Sequence, residues 1–175
     1  MALPFRQTPA ISIDAPERRR LPILLRHAWY GLNQAFRRRI AHTGVTPDQF
    51  TALRTILEGD RKGMLQSEMT RLMASDPNTV GSLIDRMEKA GLIERRPHET
   101  DRRAYRIRLK PAGQKKYEEV RAMALDLPRD ILRALPEKRR EAFLTELALV
   151  ADTCRAAAEK SPKRKGVKTE RGPKL

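Results

Sequence analysis

Between Val80 and Leu109 the chain changes its apolar period, and few folds accommodate that change over so short a distance. Val80, Leu83, Ile84 and Met87 fall at i, i+3, i+4 and i+7, which is one face of a helix. Further on, Tyr105, Ile107 and Leu109 alternate with charged residues, the pattern of a half-buried strand. The helix is bounded on both sides: Asp76 stands in the cap position, Pro77 begins the first turn and Gly91 lies just past the end. Leu92–Arg96 supplies a second short run, so the helix leads directly into a hairpin, Leu92–Arg96 against Ala104–Leu109. The loop between them is charged and contains Pro97.

Upstream, "VTPDQFTALRTILEGD" carries a full set of helix-start signals. Thr46 is the cap, Pro47 the first helical residue and Gln49 completes a capping box, with Val45 and Phe50 in the staple positions. "QSEMTRLM" predicts a short helix between this one and Asp76. Two short helices joined by a tight turn and followed by a hairpin make a winged helix-turn-helix. A longer amphipathic helix precedes the set, with Leu25, Trp29, Leu32, Phe36 and Ile40 along one stripe. Two more follow, in "PAGQKKYEEVRAMALDL" and "PEKRREAFLTELALVADTCRAAAEK", with Pro128 and Pro136 as punctuation. Phe143, Leu147, Val150 and Cys154 form a stripe in the last, which asks for a partner helix in this chain or in a second copy.

Charge narrows the function. Lys and Arg total 37 against 22 acidic residues, a formal charge of +15 and a pI near 10.7, which favours a polyanionic partner. Part of the excess sits in "KSPKRKGVKTERGPKL", a segment that reads as a disordered tail adding phosphate attraction of no sequence preference. The remainder is still basic. Four arginines, Arg95, Arg96, Arg102 and Arg103, crowd the tip of the hairpin. That density suits insertion into a minor groove, where A·T-rich stretches concentrate negative potential. On the helix before it, Asn78, Thr79, Ser82 and Arg86 lie opposite the apolar stripe and are suited to base edges in a major groove. Gly81 would allow close backbone approach.

Taken together, "VTPDQFTALRTIL" through "DPNTVGSLIDRMEKAGLIERRPHETDRRAYRIRLKPAG", Val45 to Gly113, resembles the MarR family of bacterial transcriptional regulators. "LIDRMEKAGLIERR", "DRRAYRIRL" and "LKPAG" carry the resemblance most specifically. Two positions depart from the family pattern: Leu65 stands where a capping Thr is usual, and Lys110 replaces a Thr before the next helix. The resemblance implies a homodimer that binds double-stranded DNA at a palindromic operator and answers to a small ligand, often an aromatic carboxylate, or to oxidation. It implies that Asp101 orients the wing and Arg103 is carried to the groove, leaving Arg95, Arg96 and Arg102 as phosphate contacts. The expected fold is mainly α. A flexible basic arm spans 1–20, an N-terminal dimerisation helix 21–44 and the winged helix-turn-helix 45–110. C-terminal dimerisation helices span 111–160 and a disordered basic tail 161–175.

The resemblance also places an effector pocket between the dimerisation helices and the DNA-binding lobe. His27, Trp29, Tyr30 and Asn33 offer rings and hydrogen-bonding groups there, though the spacing of Trp29 also suits a core residue. Arg37, Arg38 and Arg39 could grip an anion, either an aromatic acid or an acyl-CoA thioester. The single Cys154 fits a reducing cytoplasm and, on its apolar stripe, reads as a packed thiol rather than a peroxide sensor. No cofactor or metal is expected, since the three histidines are far apart. No phosphate loop, zinc-protease or nucleophile-elbow motif points to an enzyme. No run of 18 apolar residues suggests a membrane span. The rivals are a redox regulator acting through Cys154 and a basic RNA-binding or ribosome-associated protein. An RNA reader would expose aromatic platforms, whereas Tyr105 alternates with residues expected to face outward. His98 reads as a surface residue.

Overall fold

The computed structural model describes residues 15–160 apart from Arg102; the expected arm over residues 1–14 and tail over 161–175 lie outside them. In chain order the elements are α1 (Pro16–Ile40), a 3-10 turn (Ala41–Thr43), α2 (Pro47–Glu58), β1 (Met64–Leu65), α3 (Gln66–Leu72), α4 (Pro77–Lys89), β2 (Ile93–Pro97), β3 (Tyr105–Leu109), α5 (Pro111–Leu132) and α6 (Glu137–Lys160). The described residues up to Pro128 form one compact unit and those from Arg129 a second.

Local chemistry sets the helix starts. Thr46 and Gln49 close the expected capping box, Gln49 N donating to Thr46 Oγ1 at 3.2 Å and Thr46 N to Gln49 Oε1 at 2.9 Å. Asp76 Oδ1 accepts from Asn78 N and Thr79 N at 3.0 and 2.9 Å, a full cap on α4. α3 is half-capped, as Leu65 implied: Leu65 has no side-chain acceptor, while Glu68 still reaches back to Leu65 N at 2.9 Å. Ala74, between α3 and α4, takes a left-handed φ of 48° without being glycine.

The first unit is organised around α4. Val80, Leu83, Ile84 and Met87 pack beneath it with Phe50, Leu53 and Ile56 of α2, Met69 of α3, Ile93 and Ile107 of the sheet, and Tyr117 and Val120 of α5. Phe50 joins three helices, meeting Phe36 of α1 edge-on at 5.4 Å and stacking on Tyr117 at 5.5 Å. The sheet has three antiparallel strands in the order β1-β3-β2, with Arg95 opposite Ile107 and Met64 opposite Ile107 on the other side. β1 has no signal of its own in the sequence. At two residues it exists because β3 offers it an edge.

Several expectations need correction. α1 begins at Pro16, so residues 16–20 are helix rather than arm; Pro16 in the first turn is a good start residue. Pro128 does not separate two helices but lies inside α5, which runs on to Leu132. Of the α1 stripe only Ile40 is buried, while Trp29 is 64% exposed and so is not a core residue. Tyr105 is exposed as well, at the start of β3, whose buried residue is Ile107. Cys154 is exposed, as α6 has no buried residue within the described chain.

Gly113 shows what fixes the start of α5. A Cβ there would sit 2.1 Å from the Leu92 carbonyl oxygen, which also accepts from Lys110 N at 3.0 Å. Only glycine lets the helix backbone lie against the strand at that point.

Candidate nucleic-acid interface and adjoining cleft

Two surfaces of the first unit hold the residues of interest, and α4 contributes to both. On its outward face Asn78, Thr79, Ser82, Asp85 and Arg86 are exposed and line a shallow groove. The geometry is the complement of the buried stripe, so four apolar contacts fix which side chains face out. Asp76 holds the start of this face through its cap, and its carboxyl lies below the usual range because of hydrogen bonds from Thr79. Gly81 is not on the outward face. It is turned toward α3, where Gln66 Nε2 would lie 3.2 Å from a Cβ and donates to Pro77 O at 3.1 Å. Its smallness serves the joint between the two helices.

The hairpin beside α4 carries the arginines, but they are not equivalent. Arg95 is taken by α4: its guanidinium hydrogen-bonds Asp85 and Glu88, and its backbone N–H donates to Glu88 Oε1 at 3.1 Å. Partial burial alone would lower its pKa, yet the bond to Asp85 and the charge of Glu88 outweigh this and raise it. Arg95, expected as a phosphate contact, is thus held by two carboxylates of α4, because β2 brings it beside them. Arg96 pairs with Glu94 at 2.6 Å on the exposed edge. Arg103 is exposed with no side-chain partner among the described residues. Arg102 falls outside them.

Asp101 shapes the tip through the backbone. Its Oδ1 accepts from the backbone N–H of Arg103 at 2.9 Å, so it fixes the turn and not the guanidinium. His98 is no idle surface residue. Its Nδ1 accepts from Asp101 N at 3.2 Å, and its Nε2 lies 3.2 Å from Arg106 Nη2. Arg106, missed in the sequence, anchors the wing by binding both carboxylate oxygens of Glu99 and donating to Gly63 O at 3.1 Å. Glu99 lies below the usual carboxylate range, chiefly through its own backbone N–H and then through Arg106.

Behind α4 a cleft of about 580 Å³ opens, bordered by α1, α2, the α3–α4 turn, α4 and α5. Trp29, Asn33 and Phe36 line it from α1, at helical spacings that share one face. His27, Tyr30, Arg37, Arg38 and Arg39 do not, since one helix cannot turn all these positions the same way. They are exposed, and Tyr30 Oη accepts from Gln34 Nε2 at 3.0 Å. Arg54 and Arg86 supply the cleft's cations and Asp48 its acid. Arg54 gave no signal in the sequence, since it reaches the cleft only by the packing of α2.

Among the described residues no group of His, Cys, Asp or Glu is arranged to hold a metal, and no helix is long and apolar enough to cross a membrane. The exposed Tyr105 removes one argument against an RNA reader, so the choice falls to kinship. A sequence profile described as "MarR family" matches residues 45–105. An uncharacterized HTH-type transcriptional regulator of Bacillus subtilis, YsmB, is 33% identical over 115 residues, 65% of this chain and 77% of that one. The fold matches that of S. aureus MepR in its DNA complex, with a TM-score of 0.71 at 20% identity over 75% of this chain and 96% of that one. It also matches Bordetella bronchiseptica BpsR, whose DNA binding is regulated by 6-hydroxynicotinic acid, with a TM-score of 0.68 at 23% identity over 75% and 98%. Sequence and fold agree that the chain belongs to the MarR family of DNA-binding transcriptional regulators.

Proposed function

We propose that two copies of this chain bind an inverted-repeat operator in the cytoplasm and act as a repressor released by a small aromatic anion. The observation that carries the reading is the outward face of α4, a row of short polar side chains and one arginine beside a basic wing. Asn78, Thr79, Ser82 and Arg86 would address base edges in the major groove, and Arg103 the adjoining minor groove. Arg96 and Arg102 would meet phosphates. The bare apolar faces of α1 and α6 support pairing of two copies, which would set the two recognition helices roughly 34–36 Å apart.

For the effector, the support is the cleft: aromatic and aliphatic walls with two arginines suit a flat ring bearing one carboxylate. The ligand that regulates BpsR has that chemistry. Arg37–Arg39, expected to meet the phosphates of a CoA thioester, do not line the cleft, which favours the smaller aromatic acid. Selection of bound duplexes from a random pool tests the core of the proposal. An inverted repeat with half-sites one turn apart is expected. Recovery of no preferred sequence, or of a lone half-site bound by one copy, would reject it.

A further inference from the structure

We infer that the cleft and the reading face compete for a single side chain, Arg86, so that an anion in the cleft weakens DNA binding by drawing this guanidinium off the reading face. The inference rests on the reading of the cleft as an effector site and specifies how that site would act. Thr79 and Arg86 are the two residues that line both concavities. Thr79 is short and held by the Asp76 cap through its backbone N–H. Arg86 is long and exposed, and its side chain has no hydrogen bond or ion pair among the described residues, whereas the carboxylates near it are engaged: Asp85 and Glu88 are both taken by Arg95. A neighbour that would otherwise hold Arg86 to one side has thus been given another partner.

Arg54 makes the second half of the case. Its side chain too lines the cleft with no partner among the described residues, in company with Trp29, Phe36 and Phe50. A carboxylate there would find two guanidiniums in surroundings drier than the open helix face, and charge-assisted pairs strengthen in such surroundings. DNA offers Arg86 the same kind of bond on the other side, from a guanine edge or a phosphate. One guanidinium cannot serve both. Linkage then makes the antagonism reciprocal: DNA weakens the ligand by the factor by which the ligand weakens DNA. This competition operates within one copy, unlike a change in the spacing of two.

Trp29 is the single tryptophan of the chain and lines the cleft, so its emission reports occupancy. The probes are 6-hydroxynicotinate and its uncharged amide, with DNA affinity read by anisotropy on a selected operator. In the native chain the carboxylate should change Trp29 emission, bind well above the amide and weaken DNA binding by about tenfold. In Arg86→Gln, at ligand concentrations that saturate the Trp29 signal of that variant, the weakening should fall below about twofold. Persistence of the tenfold effect in Arg86→Gln overturns the inference while leaving the effector site standing. No change in Trp29 emission with either probe in the native chain overturns both. Should Arg86→Gln bind DNA too poorly to measure, the Arg86 Nε–H resonance decides, assigned by its absence from Arg86→Lys. Displacement of that signal by the carboxylate supports the inference, and an unmoved signal overturns it.

Discussion

α4 and α6 carry apolar stripes of the same helical spacing and meet opposite fates. On α4, Val80, Ile84 and Met87 are fully buried and Leu83 nearly so. On α6, Phe143 is 41% exposed, Leu147 38% and Leu149 69%, and no residue of the helix is buried. Composition does not explain the contrast. α4 is short and is surrounded within its own unit by α2, α3, the sheet and α5, which close over its stripe. α6 is nearly twice as long and lacks such cover in its own unit. One stripe is finished by its own chain, and the other is an offer to something else. Exposed apolar rows of this length cost free energy in water, and the proposed pairing of two copies would cover this one.

Substitutions on the two stripes should therefore differ in kind. Leu53→Ala, in the fully buried core under α4, should lower unfolding free energy by about 2–5 kcal/mol in urea titration. A loss below about 1 kcal/mol would mean that this core is not the closed unit described. Leu147→Glu should instead weaken self-association by tenfold or more in sedimentation, with helix content retained. An unchanged dimer, or a native chain that is already monomeric, would break the comparison from the other side. Arg103→Ala should lower operator affinity by about tenfold, in the range of a specific groove contact, and flatten the preference for A·T-rich flanks while leaving self-association untouched. Loss of affinity with the flank preference intact would move Arg103 to a phosphate.

The smallest effect concerns the Asp76 cap. Its folded-state carboxyl lies below the ordinary value of 3.8, so the stability it lends is complete above that value and is lost as pH falls through the lower one. Acid should loosen the start of α4 in the native chain, whereas Asp76→Asn should flatten that dependence in hydrogen exchange of Thr79 N–H. An identical acid profile in both proteins would remove Asp76 from the account.

Where local chemistry decides structure, the sequence was legible. The Thr46–Gln49 box, the Asp76 cap and the α4 stripe depend on residues within a turn or two of one another, and each appears where its spacing predicts. Legibility fails where a neighbour distant in the chain decides. β1 is created by β3, and Arg95 is turned from solvent because β2 lies beside α4. Gly81 seats α3, and Arg54 enters the cleft through the packing of α2. Pro128 misled because a proline ends an isolated helix more surely than one with Val120 and Leu127 buried around it. Trp29 and Cys154 misled for another reason: a stripe announces that a face is apolar, without saying which surface will cover it.

The grip of Asp85 and Glu88 on Arg95 has a consequence for how such a regulator can change its target. Helix and hairpin are tied by a shared cation, so on the proposed reading of these surfaces a change that shifts one reaches the other. If the two elements read DNA as proposed, a mutation that frees Arg95 would disturb two letters of the site at once, one under the helix and one under the finger. Divergence toward a new operator would then have to proceed by coordinated replacements at these three positions, or else confine itself to side chains such as Ser82 that the tie leaves alone.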